Sequence, residues 1–347
     1  MSTEYKPAAG KERVRKPQSE WSRQNLPINS HVKSERVYMH EPITETAWAY
    51  MKLLRENSSI KIEHEKDPYA EVYRFRDNLY AIFQESLDGM GDVWSYLIVG
   101  PEKAMLIDTG FGLGDLKGLC DELSGGRELI VAVTHGHFDH AYGNCRFERV
   151  YCHEYEAASL EAQNAHIWDY LFQDDGTPIW SEFDRNDLPV WKDYETIAVP
   201  DGYTWDLGNG YEVELIFLGG HTSGHSAFLD KTARNLFCGD DFVSMRVGIS
   251  GGKPGLPYGE YATVKAFSAN MDKLAQRIDE IDHLFPGHFV MDIESSAILS
   301  MQKTCHEALA DPFHGYAFTS QGPRGTLYHR HVEGLGTLAY TEASIGI

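Results

Sequence analysis

The sequence lacks the features that would assign it to a membrane or to the secretory route. No apolar run approaches the ~18 residues of a membrane-spanning helix. Residues 1–25 are polar and basic and contain no apolar segment of the kind found in signal peptides. There is also no internal repeat and no low-complexity block. We therefore expect a cytoplasmic protein without membrane contact.

Cysteine is scarce as well. Only five Cys occur among 347 residues, they are widely separated, and no two form a CxxC pair. The odd number and the wide spacing argue against the disulfide framework of small secreted proteins. A chain of this length buries a hydrophobic core without such cross-links. We expect reduced thiols, as in a cytosolic protein.

Positive charge is in short supply. The chain has 31 Lys and Arg against 52 Asp and Glu, which gives a net charge of −21. Such a field repels phosphate backbones, so we expect no nucleic-acid partner. Residues 1–36 are the exception, with eight basic and four acidic side chains. We expect this basic arm and a short helix over residues 41–56 to form an N-terminal extension (residues 1–69). The arm contacts the protein itself or a neighbouring subunit of a homo-oligomer, with a disordered terminus as the alternative.

The remainder of the chain, residues 70–347, alternates between strand and helix patterns. Short β-branched runs indicate strands, and longer runs with apolar residues three or four apart indicate helices. Strands are predicted over residues 79–86, 93–100, 103–110, 129–133, 212–217, 226–230, 235–240 and 326–341. Helices are predicted over residues 114–123, 154–163, 260–281 and 293–309. The alternation predicts a layered α/β sandwich rather than two unrelated domains.

A His-rich segment follows the predicted strand 129–133. It reads THGHFDH over residues 134–140 and contains three His and one Asp. Imidazole nitrogen and carboxylate oxygen are both ligands of borderline divalent metals such as Zn²⁺. A lone His is usually a core or surface residue, but this density of donors at the end of a strand predicts a metal site.

The segment HGHFDHAYGN (135–144) resembles the HxHxDHxxGN signature of the metallo-β-lactamase superfamily, in the hydrolase branch that includes glyoxalase II and the acyl-homoserine lactonases. Three later segments resemble further motifs of that superfamily, in the expected order: GGHT (219–222), CGDD (238–241) and PGH (286–288). The resemblance covers roughly residues 70–290. It implies an αββα four-layer sandwich, with two sheets between two layers of helices.

Carried over position by position, the resemblance implies seven metal ligands. One metal ion would be bound by His135, His137 and His221, a second by Asp139, His140 and His288, and Asp240 would bridge the two. The expected ions are two Zn²⁺ per chain, with iron or manganese as alternatives. A water shared by two such ions ionises near neutral pH, so a metal-bridging hydroxide is the expected nucleophile. Asp139 and Asp240 are the expected catalytic carboxylates.

The resemblance further implies hydrolysis of an ester-like bond in a small molecule, either a lactone, a carboxylic ester or a thioester. Class B β-lactamases generally lack an Asp at the position of Asp240, which argues against antibiotic hydrolysis. Three alternatives stay open: a mononuclear iron enzyme like the persulfide dioxygenases, a phosphodiesterase of the RNase Z kind, and a binding module without activity. The negative charge argues against the phosphodiesterase, and the complete ligand set argues against the binding module.

Three further residues lie close to the motifs. Asp108, which ends the predicted strand 103–110, is expected to accept a hydrogen bond from a ligand imidazole or to cap the turn that follows. His225 is expected to be a buried, hydrogen-bonded residue, with a contact to a ligand or the substrate as the alternative. Asp241 is expected to be structural rather than a ligand.

Two segments are candidates for substrate contact. The aromatic insertion, at about residues 165–191, carries six large rings: Trp168, Tyr170, Phe172, Trp180, Phe183 and Trp191. It is expected to be a lid over the metals or an oligomer contact, unless its rings only pack the insertion onto the fold, and as a lid it favours an apolar or aromatic substrate. The glycine-rich wall, residues 248–261, is expected to border the site with Lys253, Tyr258 and Tyr261.

Overall fold

Most of the residues that the structure describes lie from residue 55 onwards. This computed structural model describes residues 55, 57–88, 92–249, 251–322 and 324–346, together with the backbone of three short strands nearer the N-terminus. Those strands are β1 (Val14–Arg15), β2 (Lys33–Ser34) and β3 (Val37–Tyr38). Most of the basic arm and nearly all of the helix predicted over residues 41–56 lie outside the described residues.

The first large sheet has eight strands. They are β4 (Lys61–Ile62), β5 (Ala70–Arg76), β6 (Leu79–Gln84), β7 (Val93–Val99), β8 (Lys103–Ile107), β9 (Glu128–Ala132), β10 (Arg149–His153) and β12 (Glu195–Val199). Strand β11 (Ser181–Glu182) is not part of this sheet and pairs with β2. The order across the sheet is β12-β10-β9-β8-β7-β6-β5-β4. Strands β8, β9, β10 and β12 run parallel to one another. Their carboxyl ends therefore meet at one edge of the sheet.

Two further sheets contain the strands that follow β12. The six-stranded sheet contains β13 (Thr204–Asp206), β14 (Glu212–Phe217), β15 (Ser226–Asp230), β16 (Asn235–Gly239), β18 (His283–Pro286) and β19 (Ile293–Glu294). The four-stranded sheet contains β17 (Arg246–Ile249), β20 (Phe318–Gly322), β21 (Gly325–Val332) and β22 (Gly336–Tyr340). The strand predicted over residues 326–341 is thus two strands, because a turn with Gly334 at φ 74° interrupts it.

Helices cover the outer faces of the two large sheets. The α-helices in the described ranges are α1 (Leu116–Ser124), α2 (Phe138–Ala141), α3 (Ala157–Glu161), α4 (Val264–Gln276) and α5 (Ser296–Ala310). Apolar residues of α1 and α3 pack on the eight-stranded sheet, and those of α4 and α5 pack on the six-stranded sheet. This arrangement confirms the predicted αββα sandwich.

The central core lies between the two large sheets. It is rich in aromatic side chains, and Tyr96, Phe228, Phe237 and Phe285 are fully buried within it. All five cysteines are buried and unpaired, in agreement with the predicted reduced thiols. Within the described ranges, no helix has the length and apolar character needed to cross a membrane.

The first sheet starts earlier than the predicted boundary at residue 70. Strand β4 pairs antiparallel with β5, and the buried Arg55 forms a 3.0 Å ion pair with Glu71. The sequence did not reveal β4 because the strand is only two residues long and one of them is a lysine. The division of the chain into an extension and a single domain stays a prediction.

The aromatic insertion packs against the main fold. Its Trp168 is 5% exposed, and the indole Nε1 donates to the Phe111 carbonyl at 2.9 Å. Trp168, Leu171 and Phe172 form an apolar cluster with residues outside the insertion. Of the three predicted roles, these contacts favour packing onto the fold over a lid.

Candidate metal centre

The motifs found in the sequence meet at one edge of the sandwich. The His-rich loop follows β9 and continues into α2, and Asp108 follows β8. In the second sheet, GGHT follows β14, Asp240 follows β16 and PGH completes β18. The segments that follow strand ends, including the short helix α2, therefore carry all seven predicted ligands, and the structure brings all seven together.

One group of donors, called here the first trio, consists of His135, His137 and His221. Their ligating atoms lie within 4.8 Å of one another. The Nδ1 of His137 is 2.9 Å from Nε2 of His135 and 3.0 Å from Nε2 of His221. Three imidazole nitrogens that converge in this way can supply three corners of a tetrahedral metal site.

The second trio consists of Asp139, His140 and His288. Its ligating atoms also lie within 4.8 Å of one another, and all three side chains are buried. The Nε2 of His288 is 3.2 Å from Nε2 of His140 and 3.2 Å from Oδ2 of Asp139. This group differs from the first trio in that it contains a carboxylate.

Asp240 lies between the two trios. Its Oδ2 is 3.3 Å from Nε2 of His221, whereas its Oδ1 is 3.2 Å from Nε2 of His140 and 3.2 Å from Nε2 of His288. Oδ1 is buried and has no partner in hydrogen-bonding geometry. The carboxylate thus turns one oxygen towards each trio, as a ligand shared by two ions would.

The donor set fits the predicted pair of divalent metal ions. Five imidazoles and two carboxylates converge in a buried space, and these ligand types suit zinc as well as iron or manganese. A buried carboxylate oxygen is costly without a donor or a cation beside it, and Oδ1 of Asp240 has no hydrogen-bond donor. The assignment of the seven residues as ligands stays a prediction.

Outer contacts fix the orientation of the imidazoles. The contacts are between Nδ1 of His140 and Oδ2 of Asp108 (2.8 Å), between Nδ1 of His221 and the Gly248 carbonyl (2.7 Å), and between Nδ1 of His288 and the Asp92 carbonyl (2.5 Å). In each ring, Nδ1 donates outward and leaves Nε2 free to face the centre. The contact of Asp108 with a candidate ligand confirms its predicted role as an acceptor.

His225 and Asp241 form a buried pair behind Asp240. The Nδ1 of His225 is 2.7 Å from Oδ2 of Asp241, and its Nε2 accepts from the backbone N–H of Asp240 at 3.1 Å. Both side chains are fully buried. The predictions of a buried, hydrogen-bonded His225 and a structural Asp241 are confirmed, and the pair holds the backbone of Asp240.

The electrostatic environments of the two trios differ. Burial and the neighbouring imidazole of His140 hold the pKa of His135 well below its ordinary value. Burial also lowers the pKa of His140, but Asp139, Asp240 and Asp108 together outweigh it and raise the pKa to about 10. The carboxylates around the second trio therefore favour a positive charge there, whether a proton or a metal ion.

Glycines let the motif loops approach one another. A Cβ on Gly287 would lie 2.5 Å from Cε1 of His140, so a side chain at this position would push on a candidate ligand. Gly239 has φ 47°, and a Cβ there would lie 2.7 Å from Nε2 of His225. These two contacts explain the glycines that precede His288 and Asp240 in the motifs.

Glu156 is a residue of the site that the sequence analysis missed. Its carboxylate is buried and accepts from the backbone N–H of Gly136 (2.8 Å), the backbone N–H of Gly224 (2.9 Å) and the hydroxyl of Thr222 (2.7 Å). It therefore ties the loop of His135 and His137 to the loop of His221. The available signal was its place after β10, the parallel neighbour of β9, but that pairing becomes visible only in the fold.

A cleft opens beside the first trio. Its lining includes His137, His221, Ser159, Thr222, Lys253 and Arg324. Gly251, Gly252, Leu256 and Pro257 also line it, which agrees with the prediction that the glycine-rich wall borders the site. None of the six large rings of the aromatic insertion belongs to this lining in the described part of the chain.

The arrangement was compared with known proteins. The family model described as the metallo-beta-lactamase superfamily matches residues 88–288, more than half of the chain. The chain belongs to this superfamily. The match ends at His288, the last of the predicted ligands.

Two similar proteins are named as thioesterases. The human protein "Acyl-coenzyme A thioesterase MBLAC2" (Homo sapiens) is 27% identical over 219 residues, which cover 57% of this chain and 72% of that protein. The chicken protein of the same name (Gallus gallus) is 26% identical over 219 residues, covering 58% and 73%. The predicted hydrolase class is confirmed.

Solved structures of metallo-β-lactamases also match. DIM-1 metallo-β-lactamase gives a TM-score of 0.46 at 18% identity, covering 70% of this chain and 99% of that chain. The metallo-β-lactamase from Pontibacter korlensis gives 0.47 at 17% identity, covering 68% and 99%.

Proposed function

We propose that the protein hydrolyses the thioester bond of acyl-coenzyme A compounds at a centre of two metal ions. In this reaction water adds across the C–S bond, and the products are a carboxylate and a thiol. The observation that carries the two-metal part is the position of Asp240, with Oδ2 at 3.3 Å from His221 and Oδ1 at 3.2 Å from His140. The acyl-CoA part rests on the relatives named as acyl-CoA thioesterases.

The proposed ligands follow the two trios. His135, His137 and His221 would hold one ion, Asp139, His140 and His288 the other, and Asp240 both. Divalent ions bound there would lower the pKa of a coordinated water and polarise the substrate carbonyl. Zinc is the first choice because five of the seven donors are imidazoles.

The protein's own groups supply orientation around this centre. Asp108 holds the imidazole of His140, and Glu156 holds the loops of the first trio together. The cleft beside His137 and His221 gives a substrate access to the first trio. With divalent ions bound there, the ionisation of water would not require a separate general base.

Thioester hydrolysis is favoured over lactone hydrolysis, which the sequence analysis treated as an equal candidate. The difference comes from the relatives, because the donor set itself serves either carbonyl compound. A phosphodiesterase and a mononuclear iron oxidoreductase remain the competing hypotheses for a site of this composition.

Metal analysis followed by a substrate panel tests the proposal. The purified protein is expected to contain close to two metal ions per chain, mostly zinc. The panel compares acyl-CoA compounds with lactones, aryl esters and bis-nitrophenyl phosphate, and the highest kcat/KM is expected on an acyl-CoA. One iron per chain without a second metal, or a preference for the phosphodiester, would contradict the proposal.

A further inference from the structure

The cleft beside the first trio differs from the rest of the molecule in charge. The whole chain carries a net charge of −21, yet the charged side chains that line this cleft are Lys253, Arg324 and Glu156. Two of these three are basic. An acidic protein that places two cationic groups next to its candidate active site creates a local region that attracts anions.

Glu156 offsets part of this positive charge. Its two oxygens accept from Gly136, Thr222 and Gly224, so the carboxylate is committed to the loops of the metal centre. The residue is 2% exposed, and with one acidic and two basic side chains the lining keeps a net positive charge.

Arg324 and Lys253 are held on opposite parts of the chain. Arg324 precedes β21 in the four-stranded sheet, and its Nη1 donates to the carbonyls of Gly251 (2.8 Å) and Gly252 (3.2 Å). These carbonyls are adjacent to Lys253 in the glycine-rich wall. The guanidinium thus fixes the segment that carries Lys253, and both cations line the same cleft as His137 and His221.

We infer that Lys253 and Arg324 form an anion-binding subsite that holds a negatively charged group of the thioester substrate. This inference rests on the proposed function and adds the part of the substrate that is recognised. Two sources could supply the anion: the phosphates of the coenzyme A carrier or a carboxylate at the end of the acyl chain. Both would form charge-assisted hydrogen bonds with the ammonium and the guanidinium.

The test compares three thioesters in the zinc-loaded protein: hexanoyl-CoA, hexanoyl-pantetheine, which lacks phosphates, and adipoyl-pantetheine, which carries a terminal carboxylate. The variants are Lys253→Ala, the charge-conserving Lys253→Arg, and Lys117→Ala as a control. Lys117 is a surface lysine of α1 that pairs with Asp121. The control removes one positive charge without touching the cleft.

We expect Lys253→Ala to raise KM for hexanoyl-CoA roughly 5- to 20-fold while kcat changes much less. Lys253→Arg should restore most of the affinity, and the difference should shrink as ionic strength rises. A selective effect on adipoyl-pantetheine instead would identify the acyl carboxylate as the bound anion. An equal change in KM on all three substrates, or none on either anionic substrate, would overturn the inference.

The failure of the subsite and the failure of the thioesterase function can be told apart. If the zinc-loaded protein hydrolyses none of the three thioesters, the proposed function is wrong. Binding of coenzyme A and of pantetheine, measured by calorimetry for the parent and for Lys253→Ala, then tests the subsite directly. A coenzyme A affinity that does not change in the variant would overturn it.

Discussion

The first trio consists of three imidazoles, whereas the second trio contains the carboxylate of Asp139 and contacts the carboxylate of Asp108. His135 has a lowered pKa, so it is neutral and ready to bind a metal, but His140 lies among Asp139, Asp240 and Asp108. The first trio therefore offers neutral nitrogen ligands, and the second offers a negative charge that a cation must balance. Two ions bound on either side of Asp240 would thus be expected to differ in affinity.

The largest effect is expected from removal of the shared group. Asp240→Ala should lose metal at both positions, and activity should fall more than about 100-fold, since loss of an outer partner alone costs about 10- to 100-fold. Metal content by mass spectrometry and kcat/KM measure the result. Asp279→Ala, an exposed carboxylate on the surface, is the control. Two metal ions and near-normal turnover in Asp240→Ala would remove this residue from the bridge.

A pair of variants separates the two trios. His221→Ala should leave one ion in the second trio, and Asp139→Asn should leave one ion in the first, because each change removes a donor from one group only. Competition with a chromogenic chelator gives the two occupancies. If either variant loses both ions, the trios do not bind independently, and the contrast between them has no functional meaning.

A weaker effect on metal binding is expected from a change at Asp108, which contacts the second trio. Asp108→Asn removes the charge beside Nδ1 of His140 and should lower metal affinity about 10- to 100-fold at the second position. The first position should keep its affinity, as measured in the same chelator competition. An equal loss at both positions would show that Asp108 supports the loop as a whole rather than one ligand.

The smallest effect is expected from a change at Glu156, which contacts the loops of the first trio. Glu156→Gln keeps the shape of the side chain but places an amide where the carboxylate accepts from Gly136 and Gly224. Leaving a buried donor unpaired costs about 1–3 kcal/mol, so the free energy of unfolding of the metal-loaded protein should fall by that amount. Urea denaturation measures it, with the exposed Glu154→Gln as the control. No loss of stability would mean that the carboxylate does not tie the two loops together.

The parts of the site that the sequence revealed are those encoded by neighbouring residues. The seven donors sit in four short motifs, each at the end of a strand with a clear β pattern, so their types and spacing were visible before the fold was known. Asp108 and His225 were also assigned correctly, because each lies within or next to such a motif.

The parts that the sequence did not reveal depend on contacts between distant segments. Glu156 has no motif of its own, and its role arises from three donors on two other loops. The aromatic insertion gave a misleading signal, because large rings can either pack in a core or contact a ligand. Trp168 packs in the core. Net charge also did not reveal the cleft, since a total of −21 does not give the sign of the charge around one cleft.

The cleft is lined by residues from within the family match and by Arg324 from beyond it. The family match stops at His288, whereas Arg324 and Ser344, whose hydroxyl donates to the Ile249 carbonyl at 2.6 Å, come from the segment beyond it. Substitutions in that C-terminal segment can alter which molecules are admitted without touching a single candidate ligand.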